Sequence, residues 1–343
     1  MLLNELNLLC LLPGVASREE AVRDYLVSAA EQYADEVRVD RMGNVIASKR
    51  GKNHETPVML TAYMDEVGVM ATGFIDSGCV KFDFVGEVDR RTVIGKRVFL
   101  GKAGVPGVFG MKPIHLTSRE ERQSYPKTGS LYIDIGAKDK AEAQSLVSRG
   151  DVGVFASEFL SFGEGRIKSR AISGRLGCAV LLELMKQPLP VDCTFVFTVQ
   201  EEVGARGAFG AAFGVKPELA LVIGSAAADD LPDVPTEKWG CALGKGAVLP
   251  AMDGGTIYDR RLFALLRDTA EKVQIPWQLP GAQEEKTDAM AVQRSRSGAR
   301  VAAIAAPVRY ARTPSEVAAE GDLEAVLHLA EAFLEAVGKE QEG

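Results

Sequence analysis

Residues 191–204, VDCTFVFTVQEEVG, begin as a run dominated by Val, Phe and Thr and end on two consecutive glutamates, Glu201 and Glu202, followed by a valine and a glycine. A short apolar run rich in β-branched and aromatic side chains reads as a buried strand, and the glutamates then mark its carboxyl end. On its N-terminal side LGCAVLLELMKQ (176–187) has the length and composition of a helix, and on its C-terminal side GAFGAAF (207–213) reads as a short helix before a second apolar strand, ELALVIG (218–224). TIYDRRLFALLRDTAEKV (256–273), ARVAAIAAPV (299–308) and GDLEAVLHLAEAFLEAVG (321–338) extend the alternation as helix, strand and helix. Alternation of this kind predicts an α/β fold with a mostly parallel sheet covered by helices on both faces.

Toward the N-terminus, residues 17–33 place Ser17 three residues before Glu20, a capping-box pattern, and Val22, Leu26 and Ala29 at helical spacing. Residues 36–40, 44–50 and 57–65 read as strands separated by the turn-prone RMGN and GKNHET. Between about 70 and 163 the texture changes to short strand-like pieces, among them KFDFVG, RVFLG, PGVFG and SLYIDIG, divided by glycines. The expected organisation is one α/β domain, 1–69 plus 164–343, interrupted by a β-rich module at 70–163.

Composition narrows the function. With 343 residues, 46% hydrophobic and 25% charged, the chain has ample material for a core, so disorder is excluded as its main state. A formal charge of −7 without a basic block makes nucleic acid and anionic membrane poor partners. No apolar run reaches the roughly 20 residues of a bilayer span, and no basic segment precedes MLLNELNLLCLL, so a cytoplasmic protein is expected. The five cysteines form no CxxC pair, which suggests neither a disulfide framework nor a thiolate zinc site. The GxGxxG and GxSxG motifs and the full P-loop spacing are also lacking, so nucleotide binding and serine-type acyl transfer have no support.

In an open parallel sheet, ligands meet the carboxyl ends of the strands. Four such ends stand out: TAYMDEVG (61–68), TVQEEVGARGA (198–208), LVIGSAAADD (221–230) and APVRYARTP (306–314). The first two carry Asp65 and Glu66, then Glu201 and Glu202. Adjacent strand residues point to opposite faces, so Glu201 and Glu202 face one cavity only if the strand stops before them.

Ten segments occur in one order along the chain: RMGNVIA, MDEVG, VIGKRV, GVFGMKPIHLTSREER, LYIDIGA, GRLGCAVLLE, FTVQEEVGARGA, LGKGAVLPAMDG, TDA and RYARTPSEV. Together they resemble the tetrahedral glutamyl and leucyl aminopeptidases, family forty-two of the clan MH metallopeptidases, nearly from end to end. The resemblance implies a zinc-aminopeptidase-like α/β domain with an inserted β-barrel-like dimerisation module. It also implies two divalent metals, with a glutamate as general base activating the water between them.

Carried over residue by residue, the resemblance puts the base at Glu201, a metal ligand at Glu202 and a supporting acid at Asp65. The remaining ligand positions fall on Tyr63 where the family has histidine, Ser173 where it has the bridging aspartate, Gly224 where it has an aspartate, and Arg312 where it has histidine. The acidic neighbour of the bridge falls on Gly174. Only Glu202, of five positions, keeps a side chain that binds metal in the family manner. The three histidines, His54 in an early turn, His115 in the inserted module and His328 in the C-terminal helix, lie away from the strand ends. A guanidinium at position 312 would instead supply the missing positive charge beside Glu202, where a bidentate pair could form, and the Tyr63 ring would fill space freed at Ser173 and Gly224.

The expectation is therefore an aminopeptidase homologue impaired in catalysis, with no cofactor, acting by binding peptides or amino acids or by assembly. It would be a homo-oligomer, a dimer or a dodecamer, or a partner of an active paralogue. The alternative is an active aminopeptidase with a rearranged or single-metal centre of zinc, cobalt or manganese. Endoglucanase chemistry, a label some members carry, fits consecutive glutamates less well, because glycoside hydrolysis wants two carboxyl groups flanking one bond at about 5–10 Å.

Overall fold

The computed structural model describes residues 2–281 and 285–342. Its frame is an eight-stranded sheet in the order Glu36–Val39, Val45–Lys49, Val191–Thr198, Asn53–Tyr63, Leu219–Ala227, Arg300–Val308, Ala247–Val248, Trp277–Gln278. The four central strands are mutually parallel, and the strands on their flanks join them antiparallel. Period-two alternation sends neighbouring side chains to opposite layers: Leu60 and Phe195 join one core cluster, Met59 and Val196 another. The larger cluster is covered by helices Leu2–Leu11, Glu20–Ala30, Ile172–Met185, Arg260–Val273 and Glu320–Glu342, the smaller by Arg206–Val215 and Asp288–Gln293. Ile172–Met185 is buried along its whole length, which explains why its sequence shows almost no polar stripe.

A closed barrel of six strands, Gly68–Phe74, Val80–Val85, Leu131–Asp134, Val105–Met111, Arg97–Leu100 and Val152–Phe155 in barrel order, interrupts this frame. It has its own core, in which the Phe82 and Phe109 rings meet edge to face at 5.2 Å. The chain enters the barrel just after Asp65 and Glu66, so the barrel stands beside the carboxyl end of the central strand.

Several local expectations are corrected. Ser17 does not cap a helix: its φ is +72°, its amide donates to Glu19, and the helix begins at Glu20. His54 belongs to the extended strand Asn53–Tyr63, at the end opposite Tyr63, where its Nδ1 lies 2.8 Å from Asp192. The sequence reading also lacked the N-terminal helix Leu2–Leu11 and a small sheet of Leu160–Phe162, Arg166–Ser169 and Glu316–Ala319. That sheet pairs Ser169 with Glu316 and thereby ties two segments of the site together. Among the described residues, no helix is long and apolar enough to cross a membrane. All five cysteines are unpaired.

Candidate active-site cleft

The strand Val191–Thr198 is followed by Gln200, which turns the chain with a φ of +57°. The two glutamates thus belong to a turn and diverge. Glu201 lines a cavity of about 60 Å³ at the strand ends, shared with Tyr63, Ser173, Gly224, Asp288 and Arg312. Glu202 lines a smaller recess beside Glu66, Arg170, Ser173 and Glu316. Asp65 fixes the turn: Glu201 N donates to its Oδ1 at 2.9 Å and Glu202 N to its Oδ2 at 3.1 Å.

Burial governs the titration of this group. It raises the Asp65 carboxyl well above the usual carboxylate range, with Glu202 adding to the effect. Burial, then Glu202, does the same to Glu201. Glu202 is pushed up to about 7 by burial despite the pull of Arg312.

Arg312 sits at the junction. Its Nε donates to Glu202 Oε2 at 3.1 Å, and its Nη1 lies 3.1 Å from Glu87 Oε2 and 3.5 Å from Glu285 Oε1. The fork is therefore divided among three carboxylates, not held bidentate on Glu202 as the sequence suggested. Arg312 itself has a φ of +61°, and its amide is held by Glu316 Oε1 at 2.8 Å.

Tyr63 borders the same space from the next strand. A Cβ placed on Gly174 would stand 2.5 Å from its Cε2, and one on Gly224 4.0 Å from its Cε1. The ring thus lies between the two glycines. Ser173 opens the helix Ile172–Met185 and is bound by Glu316, its amide to Oε2 at 2.8 Å and its hydroxyl to Oε1 at 3.0 Å. Glu316 joins residues 173 and 312 through one buried carboxylate, which burial raises to about 7. Positions 63, 173, 201, 224 and 312 therefore line one cavity, with Glu202 in the adjoining recess and Gly174 against the Tyr63 ring.

Two further residues were quoted in family-like segments without a role. Glu316 of RYARTPSEV links two segments of the site, and Asp288 of TDA lines the cavity. Glu66 was placed at a strand end, but it is held in a buried network: Arg170 Nη1 at 2.6 Å, Arg175 Nη2 at 3.3 Å and Gly14 N at 3.0 Å. The two arginines also donate to carbonyls of Leu9, Leu11 and Leu12 at the end of the first helix. The useful signal for this network was Arg175 inside a largely apolar, fully buried helix, since an arginine there needs an acidic partner.

The donor chemistry for paired cations is thin. Among the described residues, no group of three or more His, Cys, Asp or Glu side chains is placed to hold a metal ion. None of the three histidines lines the cleft. The oxygen acceptors that do converge are already bonded to a guanidinium, a hydroxyl or backbone amides, or lack the nitrogen and carboxylate partners that cocatalytic sites use.

Residues 43–329 match the family of M42 glutamyl aminopeptidases. The lysyl aminopeptidase of Pyrococcus furiosus is 32% identical over 334 residues, covering 94% of each chain. The structure of an aminopeptidase from Desulfurococcus kamchatkensis superposes with a TM-score of 0.93 at 32% identity, over 97% of this chain and 94% of that one. The TET1 peptidase of Pyrococcus horikoshii, described as able to assemble into a tetrahedron or a large octahedral shell, gives 0.85 at 33% identity, over 97% of this chain and 99% of that one. The chain belongs to the M42 glutamyl aminopeptidase family.

Proposed function

We propose that this chain keeps the aminopeptidase scaffold without its paired-metal chemistry and works by binding peptides or amino acids in the cleft, or by assembly. The observation that carries this reading is the contact of Arg312 Nε with Glu202 Oε2 at 3.1 Å. A fixed guanidinium on the one remaining ligand-type carboxylate supplies one positive charge where a metal would bring two, and it repels a metal. The Tyr63 ring supports the same reading, since it occupies the space that an acidic side chain at 174 would need. In this reading Glu201 and Asp65 keep their places as the former base and its support, while Tyr63, Ser173, Gly224 and Arg312 form a binding surface.

A second reading is an active aminopeptidase that holds zinc, cobalt or manganese in a rearranged or single-metal centre through Glu202. It is favoured by a 32% identity to the Pyrococcus furiosus enzyme that runs over 94% of each chain, and by the buried, raised carboxyl of Glu201. Metal analysis of protein purified with each cation, beside an assay on aminoacyl-nitroanilides, separates the two. The first reading expects less than one tightly held metal per chain and no metal-dependent turnover. One or two tightly held metals per chain with metal-dependent turnover would overturn it.

The division 1–69 plus 164–343 against 70–163, with the barrel as dimerisation module, belongs to the same proposal. So do a homo-oligomer, as a dimer or a dodecamer, co-assembly with an active paralogue, and a cytoplasmic site of action. The assembly of the Pyrococcus horikoshii relative supports the oligomer.

A further inference from the structure

The turn that carries the two glutamates takes its amide partners from side chains. Val199 N donates to Asn44 Oδ1 at 3.0 Å, Gln200 N to Glu19 Oε1 at 3.1 Å, Glu201 N to Asp65 Oδ1 at 2.9 Å and Glu202 N to Asp65 Oδ2 at 3.1 Å. The carbonyls of Val199, Gln200 and Glu201 are used by backbone amides of residues 204–207, where the next helix begins, so that helix leaves the turn's own amides without a backbone acceptor. Buried amides must be paired, and here distant side chains pair them.

The acceptors come from three separate places: Glu19 directly precedes the helix Glu20–Ala30, Asn44 directly precedes the strand Val45–Lys49, and Asp65 follows the strand Asn53–Tyr63. All three are buried. Glu19 Oε1 also accepts Ser17 N at 2.8 Å, and Asn44 Nδ2 donates to Asp40 Oδ2 at 2.7 Å and to Gly207 O at 3.0 Å. Asn44 thus grips both ends of the loop, and a Cβ on Gly207 would collide with its Oδ1. Gln200 holds a φ of +57°, a region unfavourable to a residue with a side chain, which persists only where the surroundings over-determine the backbone.

We infer that Glu19 and Asn44 are positioning residues of the site, which together with Asp65 clamp the amides of residues 199–202 and so set Glu201 into the cavity and Glu202 beneath Arg312. Asp65 alone does not suffice. It holds the amides of Glu201 and Glu202, but the direction in which those residues leave the strand is decided at Gln200, whose amide belongs to Glu19. Neither Glu19 nor Asn44 hydrogen-bonds the carboxyl of Glu201 or Glu202, so both act through the backbone. The inference deepens the reading above and rests on it, since the placement explained is that of Glu202 under the Arg312 guanidinium.

Two measurements on the full-length protein test this: amide hydrogen exchange across 199–202, and carbodiimide labelling of carboxyl groups, both read by mass spectrometry. Glu19→Ala and Asn44→Ala should each speed exchange in the turn at least tenfold and raise Glu202 labelling at least tenfold. Glu19→Gln keeps an oxygen acceptor at the same reach and should stay near the native chain in both. Val337→Ala is the control: it loosens the core where the neighbouring Gly338 meets Pro190, at the opposite end of the strand Val191–Thr198, and should leave the turn protected. Glu19→Asp, one methylene short of Gln200, replaces Glu19→Ala if that variant does not fold, with the same loosening expected. Native protection kept in either alanine variant, equal loosening in Val337→Ala, or Glu19→Gln as loose as Glu19→Ala overturns the inference and leaves the functional reading in place. If Glu202 of the native chain labels as fast as the exposed Glu164, the contact with Arg312 is absent, and the functional reading falls together with this inference.

Discussion

The Tyr63 ring edge lies 2.5 Å from the point that a Cβ on Gly174 would occupy, so the identities of these two residues are coupled although they are far apart in sequence. Gly174 sits in the first turn of the helix Ile172–Met185, where alanine would ordinarily stabilise by up to about 1 kcal/mol. In this chain the methyl would meet the ring, and overpacking of that kind costs about 1–3 kcal/mol. Gly174→Ala should therefore destabilise the protein, and cost less in a Tyr63→Ala background, where the Asp65 carbonyl oxygen at 3.1 Å still crowds the methyl. Urea unfolding of the double-mutant cycle reads the coupling, expected at about 1–3 kcal/mol; simple additivity would show that the ring and the glycine are independent.

Removing the guanidinium tests the charge argument. Glu202 is almost fully buried, whereas Arg312 keeps 23% of its side chain exposed. Breaking a wholly buried pair costs about 3–5 kcal/mol. With Arg312 partly solvated and Glu202 able to take up a proton, we expect about 1–3 kcal/mol for Arg312→Ala at pH 8 and less at pH 6. Arg312→Gly should be the milder change, because φ is +61° there and glycine relieves that strain. Equal losses at both pH values would mean that Arg312 acts through packing alone.

What the sequence revealed and what it hid follow from the range of the interactions. Strand ends such as Tyr63–Asp65 and Thr198–Glu202 were legible because period-two apolar runs stop at charged residues within a few positions. The convergence of residues 63, 173, 201, 224 and 312 was legible through resemblance, since segment order carries the fold. The role of Glu316 was not. It reaches Ser173 only because the small sheet pairs Ser169 with Glu316, a long-range pairing with no local signature. Ser17 shows the opposite failure: a local S-x-x-E pattern matched, but the chain turns with positive φ there, and Glu19 receives the Ser17 amide.

The raised carboxyls set a pH dependence whose sign is unusual. Glu202 and Glu316 stand at about 7 when folded against 4.5 as free side chains, and Asp288 at about 6 against 3.8, in each case chiefly through burial. Between those values the folded chain holds protons that the unfolded chain has lost, so stability is present in full below about pH 4 and declines as pH rises to about 7. Chemical unfolding at pH 5 and pH 8 should show the protein more stable at pH 5. Glu316→Gln should be weaker overall, with a flatter slope by about 1–3 kcal/mol across that window. A slope unchanged in that variant would remove Glu316 from the account.

Installing at four positions the ligands that the resemblance implies is the sternest test of the proposed reading, and the structure says how it should behave before metal is added. Tyr63→His, Ser173→Asp, Gly224→Asp and Arg312→His together remove the ring and the guanidinium and bring two new carboxylates into a buried group. The aspartate at 173 would face Glu316, which now accepts both the Ser173 amide and hydroxyl. Like charges at that distance raise one another's pKa and weaken the fold unless a cation intervenes. The quadruple variant should accordingly be less stable than the native chain without metal, and recover with added zinc in a concentration-dependent way, by about 2.7 kcal/mol at a hundredfold excess over Kd. Thermal unfolding across a zinc series measures this, with the native chain as reference. If zinc stabilised the native chain as strongly as the variant, the residues at these four positions would have no bearing on metal binding, and the active-enzyme reading would take over.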